Sequence, residues 1–427
     1  FSIMILFIFL YSCSPVNYTS SKETKSTSIK KIDKETKKEK PDIKISKQNS
    51  SIDLNTVLDQ TLLKSKIQQN VTFIASANDD KNILNQFVNV IELAVYEKKF
   101  KNLKFEIKYY DNQQELKNFL NTTNKKGKIF IGPINSLDTE VINYYCNTGS
   151  IFFSFSSNKK LANECTYLVN FFPDNELKEV FEFFPTNSKV AILYPENNYG
   201  YSINNIVDEI ANQSNSVIVN RASYKDDMTN VREAIKELGK YELRKYELNR
   251  QKKILANKKD DQSKKRLQKL EKFKTTKDLD FTHILIADYG IRLLQVVPLL
   301  PYYDIDPNLV KFVGTGVWDD PAFFDEPSLQ GSIFPGIEEK KRKDLFDSYS
   351  QIYEKKLLRI STLPYDLIGL ISYAINQNLT LNDFYNLLNN KNSRFAGIDG
   401  GFYFNNSIIE RDLDILEINN GYAYKIN

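Results

Sequence analysis

The sequence predicts an α/β protein made of two units, each built around a mostly parallel sheet. From Val71 onward, short runs rich in β-branched and aromatic residues alternate with stretches whose apolar residues recur at helical spacing. This alternation is typical of βαβ units. The rhythm restarts near Pro185-Thr186-Asn187, so two units are expected. A chain of 427 residues with 41% hydrophobic content is long enough to bury two cores.

The chain begins with the apolar run FSIMILFIFLYS, which ends at Cys13. Its length of roughly twelve residues is too short to cross a bilayer and fits the apolar region of a secretion signal. Leu10-Tyr11-Ser12-Cys13 resembles the lipobox of bacterial lipoproteins, although the Tyr is unusual there. We therefore expect residues 1–13 to be a truncated signal peptide and Cys13 to carry a lipid anchor. The alternative is a chance cysteine behind an apolar segment.

This lipobox resemblance implies a periplasmic protein attached to a membrane. Ser14 follows the cysteine, where an Asp would favour the inner membrane, so the outer membrane is expected. Residues 14–66 are rich in Ser, Thr and Lys and have no apolar period, which predicts a disordered tether. A random coil of about fifty residues reaches on the order of 40 Å, enough to hold a folded part away from the membrane.

The elements of both units follow from periodicity and from turn residues. In the first unit the predicted strands are VTFIAS, LKFEIKYYD, KIFIGPINS, SIFFSFSS and TYLVNFFPD, and the predicted helices are ILNQFVNVIELAVYEKKF, QQELKNFLNTTN and residues 139–145. In the second unit the predicted strands are SKVAILYPENNYG, NSVIVNRASY, FTHILIADYG and VKFVGTG, and the predicted helices are YSINNIVDEIANQ and residues 293–299.

A charged insertion, residues 232–279, interrupts the second unit. Its leucines and one tyrosine recur at spacings that suit two facing helices, with Tyr241, Leu248 and Leu255 on one side of the turn NKKDDQ and Leu267 and Leu270 on the other. We expect an antiparallel helical hairpin, a short coiled coil projecting about 25 Å. One interpretation is a basic contact arm for an anionic partner or surface. The other is a solvated insertion, which charge runs commonly are.

The positive charge of the chain is local. Residues 14–66 hold 12 basic and 7 acidic side chains, and residues 240–278 hold 15 basic and 6 acidic ones, net +5 and +9. Because the whole chain has a formal net charge of +4, the remainder carries about −10. An acidic main body argues against a nucleic-acid-binding face there.

The residues that carry most enzyme chemistry are scarce. The single histidine, His283, lies inside a predicted strand, which leaves metal clusters and Ser-His-Asp constellations without support. GTGVWD lacks the third glycine of a dinucleotide-binding motif. We expect no catalysis, no metal and no cofactor. Cys146 and Cys165 remain beside Cys13, and they form either a disulfide or two buried thiols.

Several segments resemble alphaproteobacterial lipoproteins classed as penicillin-binding protein activators. These segments are IGPINS, FSFSSN, LYPENNYG, LLPYYDIDPNLVKFVGTGVWDDPAFFDEPSLQGSIFPG, LPYDLIGLISYAI and GIDGGFYFNNSIIERDLDILEI. An exported chain of two α/β units also resembles the wider superfamily of type 1 periplasmic binding proteins, which includes the leucine/isoleucine/valine-binding proteins. The resemblance implies two Rossmann-like lobes, lobe 1 at 67–185 and 336–390 and lobe 2 at 186–335 and 391–427.

Loops beyond the carboxyl ends of the strands are where open α/β sheets bind ligands. The candidate cleft residues are Ser136, Ser154, Ser156, Ser157, Tyr194, Tyr199, Asp288, Tyr289 and Trp318. The resemblance implies that hydroxyls and backbone N–H groups would hold a carboxylate, and that Asp288 would hold an ammonium group. The only tryptophan, Trp318, could line the cleft or belong to the core.

One loop departs from the pattern of amino-acid-binding relatives. IASANDDKN, after the first strand, lacks their Gly- and Pro-containing turn, and Asp79 and Asp80 would repel a ligand carboxylate. The departure favours a regulator of peptidoglycan synthesis that contacts a penicillin-binding protein or another cell-wall enzyme. A small ligand, an amino acid or a cell-wall fragment, stays possible. The alternative function is an amino-acid receptor of an ABC-type transporter; a hydrolase lacks a nucleophile–base pair.

Overall fold

The computed structural model describes residues 64–97 and 103–426. The predicted signal peptide, Cys13 and nearly all of the predicted tether lie outside these ranges. The described residues form two seven-stranded sheets with helices on their faces, which confirms the predicted α/β architecture of two lobes. Within these ranges no helix is both long and apolar enough to span a membrane.

The strands in chain order are β1 (Asn70–Ser76), β2 (Lys104–Tyr110), β3 (Ile129–Ile131), β4 (Ile151–Ser154), β5 (Thr166–Leu168), β6 (Lys189–Pro195), β7 (Val217–Tyr224), β8 (His283–Ile286), β9 (Lys311–Val313), β10 (Ile333–Gly336), β11 (Phe402–Asn405), β12 (Ile408–Arg411), β13 (Asp414–Asn419) and β14 (Tyr422–Lys425). The helices are α1 (Lys81–Glu97), α2 (Gln113–Thr123), α3 (Ser136–Ile142), α4 (Pro173–Phe183), α5 (Asn198–Gln213), α6 (Val231–Leu238), α7 (Tyr241–Ala256), α8 (Asp261–Leu270), α9 (Gly290–Val296), α10 (Leu299–Tyr302), α11 (Glu339–Tyr353), α12 (Leu363–Asn376) and α13 (Leu381–Asn389).

The first sheet has the strand order β11-β12-β5-β4-β3-β1-β2. Strands β1 to β5 pair in parallel, and β12 pairs in parallel with β5. Helices cover both faces, so β3 and β4 are buried along their whole length, as expected for a parallel sheet. One face packs on α1, α12 and α13 through residues such as Phe73, Phe87 and Phe384, and the other packs on α2. This sheet with α1–α3 and α11–α13 is the first lobe.

The second sheet has the order β14-β13-β10-β9-β8-β6-β7, and its last two strands in the chain, β13 and β14, are antiparallel to their neighbours. Ile284 and Ile286 of β8 point into a core shared with α6, α9 and α10. Leu285, between them, points to the opposite face, where it packs in the cluster of α4 and α5. This sheet with α4–α10 is the second lobe.

The chain passes between the lobes at places that differ from those the resemblance implied. Helix α4 falls within the predicted first lobe, yet Leu177, Val180 and Phe181 pack in the core of the second sheet. The chain therefore leaves the first lobe before Pro173, ahead of the expected crossing near residue 185. The β11–β12 hairpin falls in the segment 391–427 expected in lobe 2, but it extends the first sheet because Phe402 and Ile409 belong to the core of the first lobe.

The charged insertion is a hairpin of two helices, α7 and α8, that pack against each other. Leu248 is fully buried, and Leu255, Leu267 and Leu270 are partly buried. Tyr241 packs instead on Tyr303 of the second lobe, with ring centroids 5.4 Å apart. The second arm has 10 residues, which at a rise of ~1.5 Å per residue gives about 15 Å, shorter than the expected projection of about 25 Å.

Three further features of the fold bear on the sequence predictions. Leu381 N–H donates to the Ser65 carbonyl at 2.7 Å, so the last residues of the segment predicted as tether contact the first lobe. Cys146 and Cys165 form a disulfide, with Cα atoms 5.2 Å apart, that joins the 3-10 turn Asn143–Thr148 to the start of β5. His283 lies half-buried at the start of β8 and stacks on Phe184 at 4.2 Å, in keeping with its expected place beside the core.

Candidate functional site

Every predicted cleft residue lies at the carboxyl end of a parallel strand or in the loop or first helical turn that follows it. In the first lobe these loops follow β3 and β4, and in the second they follow β6, β8 and β9. The two sets approach one another where Arg359 of the first lobe donates to the carbonyl of Gly316, just after β9, at 2.8 Å.

The serine hydroxyls of the first lobe bond mainly to one another. Ser136 and Ser156 lie 2.7 Å apart through their Oγ atoms, and Ser154 Oγ lies 2.7 Å from Thr139 Oγ1. Ser154 and Ser156 are fully buried, while Ser157 on the same loop is exposed. The structure thus brings three of the four predicted serine hydroxyls together with that of Thr139, but their hydrogen bonds are satisfied within the lobe.

The two aspartates after β1 are also engaged by their own lobe. Asp80 Oδ1 accepts the backbone N–H groups of Asn82 and Ile83, both at 2.9 Å, and so caps α1. Asp79 accepts from the Ser76 N–H at 3.0 Å and from Asn135 Nδ2 at 3.1 Å. Burial raises the pKa of Asp79 above its ordinary value. The Asp79 carboxylate is therefore held in place by residues of its own lobe.

In the second lobe, Asp288 is fully buried and both of its carboxylate oxygens have partners. Arg292 donates to Oδ1 from Nη2 at 2.8 Å and from Nε at 3.1 Å. Tyr224 donates its hydroxyl to Oδ2, and the Tyr289 N–H donates to Oδ1 at 2.8 Å. The role implied for Asp288, an open acid awaiting an ammonium group, is therefore corrected: its charge is already neutralised by Arg292.

Trp318 belongs to the core of the second lobe and does not line the cleft. Its side chain is fully buried, and the indole N–H donates to the Asp288 carbonyl at 3.1 Å. Gly314 makes room for the ring, because a Cβ at that position would lie 2.0 Å from an indole carbon. Of the two interpretations open from the sequence, the structure supports the core residue.

The three tyrosines form the remaining predicted wall. Tyr199 hydrogen-bonds to Thr315 with the two oxygens 2.5 Å apart, and its ring meets Tyr289 edge to face at 5.1 Å. Burial raises the pKa of the Tyr199 hydroxyl. Tyr289 is 45% exposed, whereas Tyr194 is half-buried and packs against Tyr201. Tyr289 is thus the predicted second-lobe residue most accessible to a ligand.

A buried ionic cluster at the junction of the lobes was not predicted from the sequence. Arg359 Nε lies 3.3 Å from Asp399 Oδ1, and Arg342 contacts both Asp399 at 3.3 Å and Asp319 at 2.8 Å. Burial disfavours the charge on Asp399, yet Arg359 and Arg342 hold its pKa below the ordinary value. Asp399 comes from the first lobe and Asp319 from the second, so the arginines bridge the lobes.

Glu176 on α4 completes this cluster. Its Oε2 accepts the Gly316 N–H at 2.9 Å, and its Oε1 lies 3.8 Å from Arg359 Nη1. Burial raises the pKa of Glu176, although Arg359 opposes this. No spacing pattern links residues so distant along the chain. The one available signal was their position close to the segments that cross between the lobes.

Two cavities lie away from these loops. One of about 350 Å³ is in the first lobe, between α12, α13 and the loop before β11, and includes Asp366, Tyr373 and Phe395 in its lining. Another of about 220 Å³ lies between α4, α5 and β12. In residues 64–97 and 103–426, no cluster of His, Cys, Asp and Glu could hold a metal ion.

The comparisons with known proteins identify the fold. No protein-family model matches the chain, and none of the curated proteins matches it. A solved structure from Rhodospirillum rubrum, assigned as a branched-chain amino acid ABC transporter, aligns with a TM-score of 0.62 and 12% identity over 84% of this chain and 100% of that chain. The C-domain of LpoA from Haemophilus influenzae, a regulator of PBP1A, aligns with a TM-score of 0.56 and 13% identity over 84% and 100%.

Full-length LpoA from the same organism aligns with a TM-score of 0.59 and 14% identity, over 85% of this chain and 60% of that one. This chain therefore corresponds to only part of full-length LpoA. At such identities the likeness establishes the fold alone. The predicted type 1 periplasmic binding protein fold is confirmed, and it is shared by binding proteins and by regulators.

Proposed function

We propose that this chain is a non-catalytic periplasmic lipoprotein that regulates peptidoglycan synthesis in the manner of a penicillin-binding protein activator. Its partner would be a penicillin-binding protein or another enzyme of cell-wall synthesis. The observation that carries the proposal is the neutralised Asp288, whose carboxylate is fully buried and paired with Arg292 at 2.8 Å. The fold shared with the C-domain of LpoA adds support.

Freeing Asp288 from Arg292 so that it could bind a ligand would cost free energy. A receptor that captures an amino acid must offer an acid to the ammonium group of its ligand. Here the ligand would have to displace Arg292, whose guanidinium is only 20% exposed and would keep a single carboxylate partner, the exposed Asp226. Separating a buried ion pair costs several kcal/mol unless new partners compensate. A cleft of this kind is poorly suited to free amino acids.

The ionic cluster between the lobes supports the same proposal. Transport receptors of this fold are expected to close around a ligand, which needs lobes that separate readily. Arg359 binds the carbonyl of Gly316 across the junction, and Arg342 bridges Asp319 and Asp399. These contacts favour a fixed arrangement of the lobes, which suits a protein that offers a constant surface to an enzyme.

The proposal is tested with the purified chain and the penicillin-binding proteins of the same organism. We expect saturable binding to at least one of them and a changed rate of glycan polymerisation or peptide cross-linking when the chain is added. The heat-unfolded chain serves as the control for nonspecific effects. Absence of both binding and rate change across all of these enzymes would contradict the proposal.

A second candidate function is that of an amino-acid receptor for an ABC-type transporter. It is favoured by the TM-score of 0.62 to the Rhodospirillum rubrum structure, all of which is covered. This function requires a ligand in the cleft, whereas regulation by docking does not. Binding measurements with free amino acids therefore separate the two.

A further inference from the structure

The α7–α8 hairpin concentrates positive charge beside an acidic main body. Residues 240–278 carry a net charge of +9, whereas the chain outside this segment and outside residues 14–66 carries about −10. Such a separation of charge orients a protein in an external field. Near a negatively charged surface, the hairpin would turn toward the surface and the two lobes away from it.

The base of the hairpin is fixed to the second lobe by one buried arginine. Arg244 Nε donates to the Gly239 carbonyl at 2.6 Å, and its Nη1 donates to the Thr276 and Asp304 carbonyls at 2.9 and 3.1 Å. Nη2 donates to the Tyr303 carbonyl at 3.1 Å. These bonds hold α7 at a defined angle to the lobe, which a merely solvated insertion would not need.

The outward face of α7 carries apolar side chains. Leu243, Tyr246 and Ile254 are 63%, 67% and 47% exposed. At about 100° per residue they fall within one arc of the helix, with Leu248 on the opposite, buried side. This outward face therefore has no partner among the described residues.

Exposed basic side chains flank this face at Lys253, cover the turn between the two helices at Lys258 and Lys259, and continue on the side of α8 that points away from α7. They include Lys253, Lys258, Lys259, Lys265, Arg266 and Lys269, and no described carboxylate forms an ion pair with any of them. Cores of protein–protein interfaces are depleted in lysine, whereas lysine combined with scattered aromatic and aliphatic side chains is typical of helices that lie at a lipid headgroup layer. The composition thus favours a membrane over an acidic protein.

We infer that the α7–α8 hairpin is an arm that binds the anionic surface of a lipid bilayer. Its basic side chains would contact lipid phosphates, while Leu243, Tyr246 and Ile254 would enter the headgroup region. The tip and one face of the hairpin would touch the bilayer. The acidic lobes would stay in solution, free to meet a partner.

The test is co-sedimentation of the full chain carrying Cys13→Ser, which removes the predicted lipid acceptor. It uses vesicles of phosphatidylcholine alone and vesicles in which about one-third of the lipid is phosphatidylglycerol. We expect binding to the anionic vesicles that weakens as salt rises, because exposed charges are screened. Binding to the neutral vesicles should be weaker by a factor of about ten or more, because the attraction of the lysines depends on anionic lipid.

Matched variants locate the contact. Lys253→Gln/Lys258→Gln/Lys259→Gln should weaken binding to anionic vesicles on the order of 100-fold. The control, Lys126→Gln/Lys355→Gln/Lys391→Gln, neutralises three exposed lysines outside the hairpin and should leave binding unchanged. Tyr246→Ser should weaken binding roughly 5-fold or more while preserving its salt dependence, since an apolar contact is lost.

Two results would overturn the inference. One is equal binding by the hairpin variant and by its control. The other is equal binding of the unchanged hairpin to neutral and anionic vesicles. All of these substitutions are at exposed positions, so circular dichroism should report the same fold for each variant.

Discussion

At Asp288, one carboxylate accepts hydrogen bonds from Arg292, from the Tyr224 hydroxyl and from the Tyr289 N–H, all in its own lobe. No solvent reaches it, since the side chain is 0% exposed. Charges in such surroundings are stable only while their partners stay in place. The local chemistry of this residue therefore decides whether the cleft can accept a charged ligand.

Replacing Arg292 should show how strongly Asp288 depends on it. Arg292→Met leaves a buried carboxylate without its cation, so we expect the free energy of unfolding to fall by about 3–5 kcal/mol. The measurement is urea unfolding at neutral pH. The control Arg221→Met breaks an exposed pair with Asp208 and should cost less than about 1 kcal/mol. Equal losses in the two variants would contradict the role given to the buried pair.

His283 gives a pH dependence that can be isolated, because it is the only histidine. Burial, followed by the charge of Lys311, lowers its pKa from 6.5 to about 4. The folded protein therefore binds this proton less readily than the unfolded chain does. The stability that the neutral ring contributes is complete above pH 6.5 and is lost as the pH falls toward 4.

We expect the chain to lose about 1 kcal/mol more stability than His283→Phe between pH 7 and pH 5, a figure reduced for the partial exposure of the ring. Phenylalanine keeps the stacking on Phe184 and cannot titrate. Glu179, whose pKa burial raises to about 7, titrates in the same range, but it does so in both proteins and cancels. Identical pH profiles for the two proteins would rule out a buried neutral His283.

At the scale of elements, the Cys146–Cys165 disulfide closes a loop with a sequence separation of 19 around β4. Constraining a loop of this size stabilises the folded state by about 3 kcal/mol through the unfolded chain. Cys146→Ser/Cys165→Ser should therefore lower the free energy of unfolding by about 2–4 kcal/mol in denaturant titrations. A variant as stable as the parent, with or without reductant, would show that the two cysteines are not bonded in the protein.

The stability of the α7–α8 hairpin should depend on Arg244. Arg244→Met removes every side-chain donor to four buried or half-buried carbonyls, so we expect faster tryptic cleavage within residues 240–278 and a loss of roughly 2–3 kcal/mol. Arg250→Met alters an exposed arginine of the same helix, paired with Glu247, and should leave both properties unchanged. Cleavage at the same rate in both variants would mean that the base of the hairpin is not held by Arg244.

Local sequence pattern was sufficient to predict some of these elements but not the lobe in which each of them packs. Strand β1 was predicted as a short run rich in β-branched and aromatic residues, and it is buried almost throughout. Helix α1 was predicted because its apolar residues, such as Phe87, Val90 and Ile91, follow the helical period. The lobe to which α4 belongs was not predicted correctly, because an amphipathic pattern does not specify which of two sheets a helix covers. The crossing point depends on whether Leu177 and Val180 meet one lobe or the other, and that is a tertiary contact.

The candidate site was also harder to predict from the sequence, because it too depends on tertiary contacts. The positions of Ser154, Ser156 and Asp288 at the carboxyl ends of strands followed from the predicted strands. Their partners did not, because Arg292 and Tyr224 reach Asp288 only after the second sheet has formed. Residue type can indicate where a ligand would bind, whereas the hydrogen bonds that already occupy those groups are visible only in three dimensions.

At the scale of the whole molecule, the two lobes are joined by charged groups withdrawn from water. Arg342 and Arg359 form ion pairs with carboxylates of both lobes. The side chains of Asp399 and Asp319 are 0% and 5% exposed. Buried pairs contribute little net stability, but breaking one of them is costly. The cluster therefore resists separation of the lobes, which is consistent with a molecule that acts through its surface.

The most direct test is thermal unfolding of the chain in the presence of individual free amino acids, with cell-wall fragments measured alongside. A ligand at a hundred times its dissociation constant would stabilise the fold by about 2.7 kcal/mol, a shift that is easily measured. With Asp288 neutralised by Arg292, we predict no shift with any free amino acid. A clear shift with one of them would contradict the occupied cleft and would support the transport receptor instead.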